Sequence, residues 1–402
     1  MGTKNSHLIP QGYPFTGIFT RINRVNAGHA GQPVLIAWIL EEAALQSGWQ
    51  EGTSLGTERE LTRQFDVSRD TLREAIRIVE ARGSMQMQRG RGGGLRLLRP
   101  CAEDMAAALA AYLRAHNFTP ADLNNAVPAA GPVLAMLGDE DLIVPLFRLT
   151  TESLSTGQTP GMTGTHRAMT IASRLLESYG PPPESGIFLG GEALLCERLG
   201  CTRPALREAL RLLGDLSILT VRRGRGGGFS LVQPTSDAMI RRMFGLLASR
   251  RSTLANLIPS IWALNFIRLR LAIRNLQMLG SEARQLYCGG LETLLGQYAE
   301  PARWFQLQRE LDRMCNNKFI SILEESFTYY LARLNQTDES WSAAVARWSE
   351  IDATLLAVES GLVQALRDGN HAKAERLHHD MHGHISWALN CPALAHNVTD
   401  MQ

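Results

Sequence analysis

The stretch SRDTLREAIRIVEARGSMQMQRGRGGG occupies residues 68–94, and a near copy, TRPALREALRLLGDLSILTVRRGRGGG, occupies residues 202–228. Both begin on a hydroxyl residue, run through an arginine-studded helical pattern and end in the same glycine-rich hexapeptide. In the first copy Leu72, Ala75, Ile76 and Val79 fall at i, i+3, i+4 and i+7. Leu206, Ala209, Leu210 and Leu213 do the same in the second, so each copy predicts a helix with one buried stripe. Ser68 and Thr202 stand at the N-cap, where a hydroxyl can accept from the free N–H groups of the first turn. The opposite face carries Arg69, Arg73 and Arg77, and again Arg203, Arg207 and Arg211. The segments SMQMQRGRGGGLRLLRP and ILTVRRGRGGGFSLVQP then alternate around their glycines as a two-stranded wing would.

The two copies stay in register at an offset of 134 from Gly52/Gly186 to Pro100/Pro234, with 19 of 49 positions identical. That period and copy number do not fit a solenoid. A short helix is expected at Thr57–Phe65 and at Gly191–Leu199, each preceded by an amphipathic run, VLIAWILEEAALQSG or HRAMTIASRLLESYG. Each module thus reads as three helices and a β-hairpin wing. The expected fold class is mainly α, with two winged helix-turn-helix domains and all-α helical-bundle regions for effector binding or assembly. The divisions are a leader (1–30), the first winged module (31–100), a short helical segment (101–154), a linker (155–165), the second winged module (166–234) and a helical domain (236–395).

The winged geometry gives the arginines a role. A helix enters the major groove by its N-terminal residues, and arginine is the favoured bidentate partner of guanine. Ser68 and Thr202, at helix N-termini, can hold a phosphate. Glycine at the wing tip lets the backbone approach DNA, with Arg89 and Arg91, or Arg223 and Arg225, adding backbone or minor-groove contacts. The charge is distributed accordingly: residues 52–100 carry net +4 and residues 186–234 net +3, while the whole chain carries only +2. Every basic residue in both spans is arginine, which favours planar recognition over mere solubility. A solvated arginine face laced to Glu74 or Glu208 is the plainer alternative for a single helix, but it does not account for two modules sharing cap, stripe and wing.

Other features narrow the class. Six cysteines without a C-x-x-C pair argue for reduced thiols in a cytoplasmic protein. No apolar run approaches a membrane span, and the N-terminus lacks a signal core. No phosphate-binding loop, nucleophile elbow, zinc-protease or dinucleotide fingerprint appears, so an enzyme is not expected.

The segment GTERELTRQFDVSRDTLREAIRIVEARGSMQMQRGRGGGLRL resembles the DNA-binding module of GntR-type bacterial transcription regulators. The resemblance implies DNA contacts from Arg59, Arg69 and Arg73, with Ser68, Thr71 and Gly90 beside them. In the second module Arg203, Arg207 and Gly224 match, whereas Ala193 replaces the first arginine and Pro204-Ala205 replace Asp70-Thr71. Two later stretches, LDRMCNNKFISILEESFTYYL and ESGLVQALRDGNHAKAERLHHDMHGHI, are similar to the helical effector domain of the FadR-type branch. Residues 101–154 resemble a truncated start of that domain. The resemblance implies double-stranded DNA as partner, a small organic acid or other metabolite as effector, and an intrachain pseudo-dimer or a homodimer. It also implies a divalent metal held by histidines, but Gln308 and Glu359 or Ser360 stand at the first two positions. His382 or His384 fills the last, and His378 and His382 at i, i+4 could share an ion. Lining or capping of the last helix is the competing role for these histidines. Arg270 and Arg274 are candidate ligand-binding groups, or surface charge. A rival class is an assembly or ligand-binding protein whose second winged module, or both, makes protein contacts. RNA binding through the RGRGGG segments is a weaker third.

Overall fold

The structure, a computed structural model, describes residues 32–388 apart from 91, 139–140, 157–163, 223, 225 and 336–345. The leader therefore lies outside the described residues. The described residues form two compact units: one comprises those of 32–124 and 142–252, the other those of 125–141 and 253–388.

In the first unit, α1 (Gln32–Gln46) leads to α2 (Glu58–Phe65) and α3 (Arg69–Ala81). A capping box starts α2: the Thr57 hydroxyl accepts from the Glu60 N–H at 3.3 Å, and the Glu60 carboxylate accepts from the Thr57 N–H at 2.7 Å. Loss of that cap in Thr57→Ala is expected to cost about 1 kcal/mol, read as a lower denaturation midpoint. Asp66 ends α2 in the left-handed region, at φ 51°, and so makes the tight turn. Ser68 Oγ then accepts from Thr71 N at 3.1 Å to start α3. Leu72, Ala75, Ile76 and Val79 are buried, as the spacing predicts.

The hairpin pairs β1 (Met85–Gln88) with β2 (Gly94–Leu97), from Met85↔Leu97 to Gln88↔Gly94. A side chain on Gly93 would collide with the Gln88 carbonyl, so the wing tip requires glycine there. Gly93→Ala is expected to open the wing tip, seen as faster amide exchange in β1 and β2 with the helices unchanged.

The same order of elements recurs after α4 (Ala102–Ala115), α5 (Pro120–Asn124) and α7 (Ile143–Thr156). It comprises α8 (Gly164–Tyr179), β3 (Ile187–Gly190), α9 (Glu192–Leu199), α10 (Arg203–Asp215), β4 (Leu219–Arg222) and β5 (Gly228–Leu231). The register of β4 and β5 runs from Leu219↔Leu231 to Arg222↔Gly228, each pair 134 residues beyond its counterpart. Here β3 adds a third strand beside β5, where the first hairpin has the bridge Ser54↔Arg96 and backbone bonds such as Leu55 N–H to the Leu95 carbonyl at 2.8 Å. Gly200, at φ 58°, makes the turn that Asp66 makes in the first copy, but Thr202 makes no side-chain cap bond. Proline in the first turn of α10 is compatible with the helix.

The helix after each module crosses to the other one. Helix α4 packs against α8, and α11 (Ser236–Ser249) packs against α1, with α4 and α11 in mutual contact. Trp38 and Phe244 pack at 4.7 Å between centroids, and Arg114 Nη1 donates to Ser173 Oγ at 3.3 Å. Sequence reading assigned residues 236–252 to the helical effector domain. The structure places them with the modules, because α11 packs on α1 and α4 and is buried from Asp237 to Ser249.

The other unit contains α6 (Val127–Leu137) and is built around the 25-residue α12 (Leu254–Met278). Helices α14 (Ala302–Cys315), α15 (Lys318–Asn335) and α17 (His371–Ala388) pack on α12, as does α6. Helix α13 (Ser281–Gln297) lies against α14 and α16 (Asp352–Arg367). The short segment expected at 101–154 is therefore divided, because α6 packs on α12. Among the described residues no helix is long and apolar enough to cross a membrane.

Candidate nucleic-acid interface

On the first module Arg59, Ser68, Arg69, Arg73, Arg89 and Gly90 are all exposed, while Thr71 is half-buried. Arg73 Nε meets Glu58 Oε1 at 2.9 Å, which fixes the guanidinium across the start of α2. Arg77 is tied to Glu74 at 3.1 Å. Ser68 and Thr71 also bond each other, Oγ to Oγ1 at 2.8 Å, so their hydroxyls hold the N-terminus of α3 in shape. Between α3 and the wing lies a groove of about 690 Å³ lined by Glu58, Arg73, Arg77, Gln88, Arg89 and Gly90. Arg96 braces the wing from behind, donating to the Gly52 carbonyl at 2.7 Å and the Gly92 carbonyl at 3.2 Å. Sequence reading missed this brace, since Arg96 has no distinguishing pattern.

On the second module Thr202, Arg203, Arg207 and Gly224 are exposed. Arg207 Nε meets Glu192 Oε1 at 3.0 Å, repeating the Arg73–Glu58 pair at the same offset. Arg91, Arg223 and Arg225 lie outside the described residues. The second module differs in carrying exposed Phe188, Leu194 and Val221 where the first has Ser54, Glu60 and Met87.

The ends of the two α3-like helices meet in a buried ion cluster that sequence reading did not find. Arg82 Nη1 bonds Glu41 Oε2 at 2.6 Å and its Nη2 bonds Asp215 Oδ1 at 2.7 Å. Ser84 Oγ donates to Glu41 Oε1 at 2.8 Å. Arg242 Nη1 reaches Asp215 Oδ2 at 3.3 Å, and its Nη2 donates to the Ala81 carbonyl at 3.0 Å. Burial would raise the Asp215 carboxyl, but the Arg82 and Arg242 guanidiniums hold it below the usual range.

In the helical unit His378 and His382 are buried with ring centroids 4.9 Å apart, and His384 is half-buried. Their setting does not fit a divalent cation. Gln308 is bonded by Arg268 Nη2 at 2.8 Å, Glu359 is tied to Arg303, and the Arg268 charge acts on both histidines. Among the described residues no group of three or more His, Cys, Asp or Glu is placed to hold a metal ion. The candidate ligand groups are also engaged: Arg270 forms a two-point pair with Glu375 at 3.0 Å, and Arg274 donates to the Asn125 carbonyl at 2.7 Å.

Burial pushes the His378 imidazole down to about 3, and the Arg268 charge adds to this. Between that value and its unfolded pKa of about 6.5, the unfolded chain binds a proton that the folded chain does not. Stability of this unit is therefore expected to fall as pH drops below about 6.5. Denaturation midpoints at about pH 7 and about pH 5 measure the loss, and His378→Leu should reduce it without abolishing it, because burial also lowers His382.

Residues 36–94 match the profile of the bacterial regulatory proteins of the gntR family. A solved structure, Streptococcus agalactiae GntR, is similar at 20% identity over 56% of this chain and 99% of that one, with a TM-score of 0.37. The matched residues run from within α1 to Gly94, the first residue of β2, so the segment 36–94 is similar to the bacterial regulatory proteins of that family.

Proposed function

We propose that the chain is a bacterial transcription regulator that reads one operator with two winged helix-turn-helix modules, α3 and α10 being the recognition helices. The observation that carries this reading is the repetition of one geometry at one offset: the hairpin register and the Arg73–Glu58 and Arg207–Glu192 pairs coincide. Arg59, Arg69, Arg73 and Arg89 contact one half-site, with Arg91 beside them, Ser68 and Thr71 shaping the helix end and Gly90 the wing tip. Arg203 and Arg207 contact the other half-site, with Thr202 and Gly224 at the equivalent positions and Arg223 and Arg225 on the wing. Ala193 and the absent Thr202 cap bond make the second contact the weaker. The helical unit responds to a small organic acid or another metabolite.

The test is a footprint of the purified chain on its own upstream DNA with salt titrated. Protection should cover two unequal half-sites, with affinity falling steeply as salt rises because phosphate contacts release counterions. No protection at low salt would refute DNA reading. One observation favours a second reading, in which the second module makes a protein contact: exposed Phe188, Leu194 and Val221 are unusual on a DNA-facing surface. Protection of the first half-site alone would favour it.

A further inference from the structure

The seam between the modules is symmetric in its helices and asymmetric in its chemistry. The helices themselves correspond at the offset of 134: α1 to α8, α3 to α10 and α4 to α11. The five residues of the buried cluster have counterparts that are all apolar. Glu41 corresponds to Leu175, Arg82 to Leu216, Ser84 to Ile218, Asp215 to Ala81 and Arg242 to Ala108. Leu175, Leu216, Ile218 and Ala108 are themselves buried. One half of the seam is thus a set of two positive and two negative charges, and the other half is hydrocarbon.

We propose that this cluster is a pairing key, which makes the first module complementary to the second module and to no second copy of itself. If two first modules met through this face, each Arg82 would keep Glu41 but lack Asp215, and would face alanine across the seam. If two second modules met, each Asp215 would face leucine in place of Arg82. Either arrangement keeps one ion pair on each side, Glu41–Arg82 or Asp215–Arg242, but loses the buried Arg82–Asp215 bond across the seam, which the mixed pair alone makes. The crossed helices reinforce this choice, since Arg242 reaches the first module only because α11 crosses to it. The reading pair is therefore complete within one chain and formed before DNA is met. This inference takes its functional meaning from the two-module reading above, but it concerns pairing alone. A test without DNA separates the failure of one from the failure of the other.

The test places a donor and an acceptor fluorophore at Arg63 and Glu197, exposed and equivalent positions on α2 and α9, in the full chain. Energy transfer without DNA should show one narrow population, unchanged by a large excess of unlabelled chain. Transfer that vanishes on dilution would mean that pairing occurs between chains. Transfer absent until DNA is added would mean that the pair is not preformed. Either result overturns the proposal, whatever the variants do. In a labelled Arg82→Leu chain the population should broaden or become sensitive to dilution, and Arg82→Lys, which keeps the charge but not the fork, should fall between. A folded Arg82→Leu chain with wild-type transfer would show that the cluster does not select the pairing.

Discussion

Replacing Arg82 by leucine is expected to destabilise the unit containing it by roughly 3–5 kcal/mol, because it leaves the buried Glu41 without its cation and Asp215 with Arg242 alone. Glu41 and Asp215 are each about 1% exposed or less in their side chains, and Arg82 supplies the shortest bonds to both. Asp215→Ala should cost a similar amount, by removing the carboxylate that Arg242 pairs with and leaving Arg82 with Glu41 alone. The two losses should not add: with both groups gone, the contact between positions 82 and 215 resembles the leucine and alanine at 216 and 81. A double-mutant cycle on denaturation midpoints isolates that coupling. By contrast, Arg77→Leu breaks only an exposed pair with Glu74, and its cost should stay within about 1 kcal/mol.

The second large effect is on DNA. Arg69→Ala should weaken operator binding by about 1–3 kcal/mol and relax preference at one base pair, as the loss of a base-reading arginine does. Arg69 sits at the first turn of α3, where a recognition helix meets base edges, and is exposed. Arg89→Ala, on the wing, should instead weaken binding nearly uniformly across sequences and reduce the salt slope. Affinity measured on the operator and on single-base variants, across a salt series, distinguishes the two. An equal loss on every sequence for Arg69→Ala would move that residue to the phosphate backbone.

The modules were legible because their signals are local. The Ser68 cap, the i, i+3, i+4, i+7 stripes and the glycine-tipped hairpins are set by residues within a few positions of one another, whereas the cap bond expected of Thr202 is not made. The structure places those elements within one or two residues of the sequence reading. The seam was not legible, because it depends on residues far apart in the chain. Glu41 lies in an apolar run, Asp215 follows a leucine-rich stripe, and nothing in either neighbourhood indicates Arg82. The signal that could have revealed them was in the repeat itself: the positions where one copy has charge and the other leucine or alanine. Helix α11 was misassigned for a related reason. It is buried from Asp237 to Ser249 with its charged residues included, so no apolar stripe shows against what it packs. The histidine cluster was read by spacing alone, and spacing does not show that Arg268 lies near enough to act on both rings.

The most direct measurement of two-module reading compares footprints of the wild-type chain and Arg203→Ala on the same upstream DNA. Arg203 opens α10 as Arg69 opens α3. The expected result is unchanged protection of the stronger half-site and loss of protection at the weaker one. A footprint identical to wild type, with affinity unchanged, would contradict the account and leave the first module as the reader on its own.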